Sequence, residues 1–98
     1  MFIKLNNNKF KKEMEFYKTF NRIYVFGSYL TDKKNSNDID IVIIYKYYSS
    51  DFRKDLYKFK KKLSNLVNLP LDITALSEKE EKDVNFIDEL NNNYIVLK

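Results

Sequence analysis

The chain has 98 residues, a formal net charge of +4 and a hydrophobic fraction of 44%, which suits one domain over residues 1–98 with one modest core. It contains neither Cys nor His, so disulfides, thiol nucleophiles, thiolate zinc sites and His-based acid–base catalysis are excluded. Its chemistry must therefore come from carboxylates, Lys, Tyr, hydroxyls and backbone groups, which favours oxygen-ligand sites for hard cations.

The positive charge argues only weakly for a nucleic-acid partner. Sixteen of the cations are Lys, and only Arg22 and Arg53 are Arg, the residue that binds phosphate in a bidentate manner. The longest uncharged apolar stretch, Ile41–Tyr45, is too short to span a bilayer. Because Met1–Asn8 also lacks the apolar region of a signal peptide, we expect a cytoplasmic protein with no membrane partner.

The first half of the chain is predicted to form a helix and two strands. Between Lys9 and Phe20, apolar residues recur at helical spacing and predict an amphipathic helix. The β-branched and aromatic run Arg22–Phe26 predicts a strand that ends at Gly27. A charged, Asn-rich loop follows, and Asp38–Tyr45 then carries the strongest strand signal in the chain.

The second half is predicted to contain two helices and two strands. Apolar residues in steps of three and four predict the first helix, which Ser50 or Asp51 caps and Pro70 stops. Alternating apolar and polar residues predict the next strand, and a Ser-x-x-Glu capping box opens the second helix. The predicted ranges are a helix over Ser50–Leu69, a strand over Leu71–Ala75, a helix from Ser77 to about Leu90 and a strand over Tyr94–Leu97.

This order of elements predicts an α/β (α+β) domain, with a mixed central sheet of three to four strands flanked by helices. The sequence pattern does not decide which strands pair in parallel and which pair antiparallel.

Three carboxylates lie within the strand patterns. Asp38 and Asp40 are two residues apart, so on a strand they point to the same face, with Cβ atoms roughly 6.5–7 Å apart. This spacing suits two carboxylates that share divalent cations. Asp72 lies between Leu71 and Ile73, where a charge is costly unless it is paired or bound to metal. If the two strands are neighbours, Asp72 can join the same site.

A structural interpretation of these acids stays open at this point. Asp38 can begin the strand or cap a turn, since Asn37-Asp38 is favourable turn chemistry. Asp40 and Asp72 can face solvent on a one-sided sheet.

Gly27 is the only Gly in the chain, and it lies where a strand ends and a turn begins. Gly is required where φ is positive or where a ligand approaches the backbone closely. Backbone N–H groups after such a turn bind phosphate, and Ser28 adds a hydroxyl donor. Combined with three carboxylates on later strands, this turn fits metal-assisted phosphoryl chemistry that needs neither His nor Cys.

Phe26-Gly27-Ser28, nine further residues and Asp38-Ile39-Asp40 together resemble the signature of the DNA polymerase β-like nucleotidyltransferase superfamily, in its minimal nucleotidyltransferase branch. Leu71-Asp72-Ile73 is similar to the third, hydrophobic–acid–hydrophobic element of that superfamily. The resemblance covers Ile23–Ile73. Two features depart from the family pattern. The spacer is one residue short, and Tyr29-Leu30-Thr31 stands where the family often has an Arg. Lys33 and Lys34 are the candidates to supply the positive charge of that Arg.

The resemblance implies a Mg²⁺-dependent nucleotidyltransferase with two Mg²⁺ ions. Gly27 and Ser28 would hold the β- and γ-phosphates of ATP or another nucleoside triphosphate. Asp38 and Asp40 would coordinate the ions, and Asp72 would help bind the second ion and activate or orient the acceptor hydroxyl. The smallest members of the family are often antitoxins paired with HEPN-type ribonuclease toxins, and several adenylylate a toxin tyrosine. The resulting hypothesis is AMP transfer from ATP to a partner protein.

Two other hypotheses remain open. The chain can be a catalytically weak or inactive module of the same fold that binds and occludes a partner or a nucleotide. Alternatively, it can bind nucleic acid, since Tyr45, Lys46, Tyr47 and Tyr48 combine aromatic and cationic side chains.

Overall fold

The computed structural model describes residues 8–98, with the backbone alone at Lys33. Within these residues the chain forms four strands, five α-helices and a 3-10 turn at Lys33–Asn35. The helices are α1 (Asn8–Met14), α2 (Ser28–Thr31), α3 (Ser50–Leu66), α4 (Glu78–Val84) and α5 (Phe86–Glu89). The strands are β1 (Phe20–Phe26), β2 (Ile39–Tyr45), β3 (Leu71–Ser77) and β4 (Tyr94–Val96).

The four strands form one mixed sheet in the order β3-β2-β1-β4. β1 is antiparallel to both β2 and β4, whereas β2 and β3 are parallel. The parallel pair needs a crossover connection, which α3 supplies. The predicted α+β class, with a mixed sheet flanked by helices, is confirmed.

The main core lies between one face of the sheet and helices α1 and α3. β2 is buried on both faces because it is a central strand, and it supplies alternate residues to this core. Apolar side chains from the two helices and from β1 complete it. The most deeply buried members include Met14, Phe20, Ile23, Ile39, Ile41, Ile43, Phe52, Phe59 and Leu63.

The second face of the sheet has a smaller apolar cover. Its buried residues are Tyr24, Val42 and Ile44, and Phe86 and Ile87 of α5 pack against them. Edge-to-face aromatic contacts hold this layer together: the ring centroids of Tyr24 and Tyr94 are 5.0 Å apart, and those of Phe26 and Phe86 are 5.4 Å apart.

The first predicted helix is wrong beyond Met14. After that residue, the backbone forms tight turns in which Glu15, Phe16 and Tyr17 donate to carbonyls three residues earlier. Phe20, predicted to end the helix, instead begins β1 opposite Tyr45. The Phe20 ring is buried as expected, because a helix and a strand at this position both place it in the main core.

The other boundary corrections come from local backbone geometry. The helix predicted from Ser77 to Leu90 is split by Asn85, whose left-handed φ of 51° ends α4. α3 is capped by Ser49, not by Ser50 or Asp51, and it stops at Leu66 because Val67 is extended. The capping box at Ser77 and Glu80 forms as predicted.

None of the helices in the range 8–98 is both long enough and apolar enough to cross a membrane. The expectation about a signal peptide concerns Met1–Asn8, of which only Asn8 belongs to the described part of the chain.

Replacing Ser49 by Ala should lower the free energy of unfolding by about 1 kcal/mol, since the hydroxyl accepts a hydrogen bond from the Phe52 amide at 3.1 Å. In a domain of this size, that loss corresponds to a fall of ~4–8 °C in the melting temperature. Urea denaturation followed by circular dichroism measures it. The matched control is Ser64→Ala in the exposed last part of the same helix, which should be neutral. Equal effects of the two substitutions would contradict a capping role for Ser49.

Candidate active site

The three carboxylates converge at one edge of the sheet. Asp38, Asp40 and Asp72 each offer one carboxylate oxygen, and these oxygens lie within 4.8 Å of one another. Asp40 and Asp72 are register partners in the parallel pair of β2 and β3, and Asp38 immediately precedes β2. Because side chains alternate along a strand, Asp40 points to the same face as Val42 and Ile44, away from α3.

Gly27 lies directly against this cluster. It follows Phe26, the register partner of Asp40, and has φ 86° and ψ −166°. A Cβ at this position would come within 2.1 Å of Oδ2 of Asp40. Two features therefore require Gly at this position: the positive φ and the close approach of the Asp40 carboxylate.

Ser28 begins α2 immediately after Gly27, and its side chain is exposed. The Ser28 and Ser36 hydroxyl oxygens are 3.4 Å apart, and Ser36 also donates to the Asp32 carbonyl at 2.8 Å. These bonds fold the segment between β1 and β2 back on itself. The Leu30 amide, in the first turn of α2, donates to the Gly27 carbonyl at 3.0 Å. The Ser28 hydroxyl and the backbone of this turn thus lie next to the acidic cluster.

The three carboxylates of the acidic cluster repel one another. Burial raises the pKa of Asp40 above its ordinary value, and the negative charges of Asp38 and Asp72 raise it further. Asp38 and Asp40 are half-buried and Asp72 is exposed. No ion pair neutralises these three carboxylates among the side chains that the structure describes.

This donor set fits a divalent cation. Mg²⁺ prefers oxygen ligands and commonly binds through one or two carboxylates together with phosphate oxygens. A bound cation would also offset the mutual repulsion that raises the pKa of Asp40. Each of the three acids is at least partly exposed to solvent, so a phosphate ligand could bind the same cation.

Helix α2, directly after Gly27, contains no cationic residue. α2 consists of Ser28, Tyr29, Leu30 and Thr31, and the Tyr29 ring is buried in the main core. Burial raises the pKa of its phenol. Of the two lysines suggested as substitutes, Lys34 is exposed, while the side chain of Lys33 lies outside the described part of the structure.

The structure thus brings four of the five predicted site residues into direct proximity and places the fifth, Ser28, next in the chain to Gly27. The assignment of catalytic and nucleotide-binding roles stays a prediction. Sequence reasoning did not find α2 or the contact between Ser28 and Ser36. The only signal for Ser36 was a hydroxyl two residues before Asp38.

Comparison with known proteins gives one family and a set of related folds. The profile of the family described as "Nucleotidyltransferase domain" matches residues 8–96. No curated protein matches the chain significantly. A mutant of the toxin–antitoxin MntA–HpeT has a TM-score of 0.54 at 15% identity, over 90% of this chain and 72% of that one. A toxin–antitoxin crystallised with AMP-PNP has a TM-score of 0.53 at 20% identity, over 94% and 73%. At these identities the likeness concerns the fold.

Replacing Gly27 by Ala should displace the Asp40 carboxylate and weaken divalent cation binding by about tenfold or more, since the new methyl group would overlap Oδ2. The positive φ adds a cost of roughly 1–2 kcal/mol to folding. Titration calorimetry with Mg²⁺ and urea denaturation measure the two effects. Ser28→Ala is the control, because it leaves the Asp40 contact intact. Unchanged cation affinity in the Gly27→Ala protein would contradict the proposed packing.

Replacing Asp40 by Asn should stabilise the cation-free protein at pH 7 by about 1 kcal/mol, as expected for two charges ~4 Å apart in a water-like dielectric. A carboxyl whose pKa is raised on folding favours the folded state only while it is protonated. Its destabilising effect therefore appears as the pH rises through the raised value, and the gain in the variant should shrink as the pH falls towards 3.8.

Urea denaturation in EDTA at several pH values tests this expectation. Glu15→Gln, a change of the same charge at an exposed position, is the control. A variant that is less stable than the parent at pH 7 would show that repulsion does not dominate at this site.

Proposed function

Since the chain belongs to the nucleotidyltransferase domain family, we propose that it is a Mg²⁺-dependent enzyme that transfers AMP from ATP to a hydroxyl group of a partner protein. The observation that carries this proposal is the convergence of three carboxylate oxygens within 4.8 Å, beside the Gly27 turn, whose lack of a Cβ lets the Asp40 carboxylate lie against the backbone.

Asp38, Asp40 and Asp72 would hold the cations, two in number under this proposal. Bound there, Mg²⁺ would neutralise phosphate charge and stabilise charge that develops in the transition state. Gly27 and Ser28 would position the β- and γ-phosphates through the turn backbone and the Ser28 hydroxyl. Because the site has no His or Cys, catalysis would rest on positioning and charge stabilisation, without a covalent enzyme intermediate.

Asp72 is suited to the acceptor side of the reaction. It is the most exposed of the three acids, so an incoming hydroxyl can reach it. The acceptor oxygen would form a bond to the α-phosphorus as the bond from that phosphorus to the α,β-bridging oxygen breaks and pyrophosphate leaves. Asp72 would orient the hydroxyl or accept its proton.

A protein acceptor is supported by the nature of the structural neighbours. Both are described as toxin–antitoxin structures, and one contains AMP-PNP, an analogue of ATP. The partner we propose is a ribonuclease toxin of the HEPN type, and the role of this chain would be that of its antitoxin.

One observation favours a second candidate function. Tyr29 is buried in the main core, and α2 carries no cation that could contact a triphosphate. A domain with weakened phosphate contacts can retain nucleotide binding and act by occluding its partner without transfer. In that case Mg²⁺ and ATP together would raise the melting temperature while no pyrophosphate is released.

Incubation with α-³²P-ATP, Mg²⁺ and the protein encoded beside it in the genome distinguishes the two functions. The transferase should label the neighbouring protein and release one pyrophosphate per AMP transferred. Asp38→Asn and Asp40→Asn should each reduce labelling by at least a hundredfold, whereas Asp83→Asn, in α4, should leave it unchanged.

If the parent protein transfers no label, and the Asp38→Asn protein still neutralises its partner, the occlusion function is correct and the transferase proposal is wrong. Labelling that persists in both site variants would also overturn the roles proposed for these acids.

A further inference from the structure

The charges of the molecule are separated between the two faces of the sheet. α3, on the main-core face, carries six cations and two carboxylates. α4 and α5 together carry six carboxylates and two lysines, and α5 packs on the second face, where Asp40 and Asp72 also point. The modest net charge of +4 therefore conceals a basic side and an acidic side.

The cations of α3 concentrate on the side of the helix that faces away from the core. At 3.6 residues per turn, four of its six cations and Tyr57 fall within an arc of about 140°, opposite the buried Phe52, Phe59 and Leu63. We call this surface the α3 basic face. It consists of Arg53, Lys54, Tyr57, Lys58 and Lys61.

The four cations of the α3 basic face have no carboxylate partner among the described residues. Lys62, at the border of this face, differs because it forms an ion pair with Glu13 of α1. Of the two acids of the helix, Asp51 lies in its first turn at the border of this face and forms no ion pair among the described side chains. Asp55 accepts hydrogen bonds from the Thr19 amide and hydroxyl. An anionic partner could therefore neutralise the cations of this face without breaking an existing ion pair.

Tyr57 lies among these cations with 67% of its surface exposed. Shallow depressions flank it on both sides. One of about 410 Å³ is lined by Ser50, Arg53, Lys54 and Lys58, and one of about 490 Å³ is lined by Lys58, Lys61, Lys62 and Asn65. A planar ring between two basic depressions matches a ligand that alternates flat groups with negative charges.

We infer that the α3 basic face binds single-stranded nucleic acid, with phosphates on its four cations and a base stacked on Tyr57. Arg53 and Lys61 are ~12 Å apart along the helix, a length that spans three or four phosphates of a stacked strand. Stacking on one exposed ring requires an unpaired base, which excludes a duplex. An acidic protein surface would satisfy the same charges, and it is the alternative outcome of the test.

This surface differs from the aromatic patch at residues 45–48 that the sequence suggested. There the rings of Tyr45 and Tyr48 pack against Phe52, with centroids 4.3 Å and 5.5 Å away, although Tyr48 keeps 66% of its surface exposed. The α3 basic face also lies across the sheet from Asp40, so a bound strand would leave the acidic site open.

Fluorescence anisotropy with a labelled 12-nucleotide oligouridylate at 50 mM salt tests the inference. The parent protein should bind with a log–log salt slope of about −2 to −3, as expected for three or four phosphate contacts on a single strand. Lys54→Ala/Lys58→Ala should weaken binding at least tenfold. Lys79→Ala/Lys82→Ala, the same change of charge on α4, should weaken it less than twofold. Tyr57→Ala should weaken binding about fivefold or more, and Tyr57→Phe should retain it.

Equal losses in the two double variants would mean that only net charge matters, and would overturn the inference. If the Tyr57→Ala protein binds like the parent, and polyglutamate competes as well as unlabelled oligouridylate, the surface binds acidic protein and the inference is likewise wrong. Absence of binding by the parent protein at 50 mM salt is a third overturning result. Circular dichroism of each variant verifies that these exposed substitutions leave the fold intact.

Discussion

The contact between Gly27 and the Asp40 carboxylate is the constraint on which the acidic site depends. It joins the end of β1 to the start of β2, and a single methyl group at position 27 would close the space that Oδ2 occupies. The parallel pairing of β2 with β3 then places Asp72 beside Asp40. Three like charges are thereby held together by backbone pairing, although their mutual repulsion opposes it.

The burial of β2 explains why the fold tolerates this repulsion. Ile39, Ile41 and Ile43 are fully buried in the main core, while Val42 and Ile44 are fully buried on the other face. Slipping the register by one residue would turn the Asp40 carboxylate towards the main core, so the strand has one favourable register. Burial of these side chains stabilises the whole strand, and the strand in turn holds Asp40 in position against the repulsion of the other two carboxylates.

Much of this arrangement could be predicted from the sequence because its signals are local. The apolar run of β2, the capping box at Ser77 and Glu80 and the lone glycine after β1 each have a short-range physical cause. The family resemblance, which rests on Gly27-Ser28, Asp38-Ile39-Asp40 and Leu71-Asp72-Ile73, is confirmed. The convergence of Asp72 with Asp40, in contrast, required the parallel neighbour relation of β2 and β3, which a hydrophobic pattern does not contain.

The remaining details depend on tertiary context. Tyr17 and Phe20 have helical spacing, yet the helix stops at Met14 because Phe20 pairs with Tyr45 across the sheet. The break at Asn85 requires a left-handed residue that Asn adopts only where its surroundings favour it. The burial of Tyr29 could not be predicted from the sequence either, since a Tyr in a short helix can point towards the core or towards solvent.

The separation of charge between the two sides of the sheet bears on the proposed function. The three aspartates and the carboxylates of α5, which packs on Phe26 beside the site, would repel a bare triphosphate as it approaches. A triphosphate that already carries its cation would have less charge to be repelled. Under the proposed function, the site would therefore favour the metal complex of the triphosphate before any contact forms, and added salt would weaken this preference by screening.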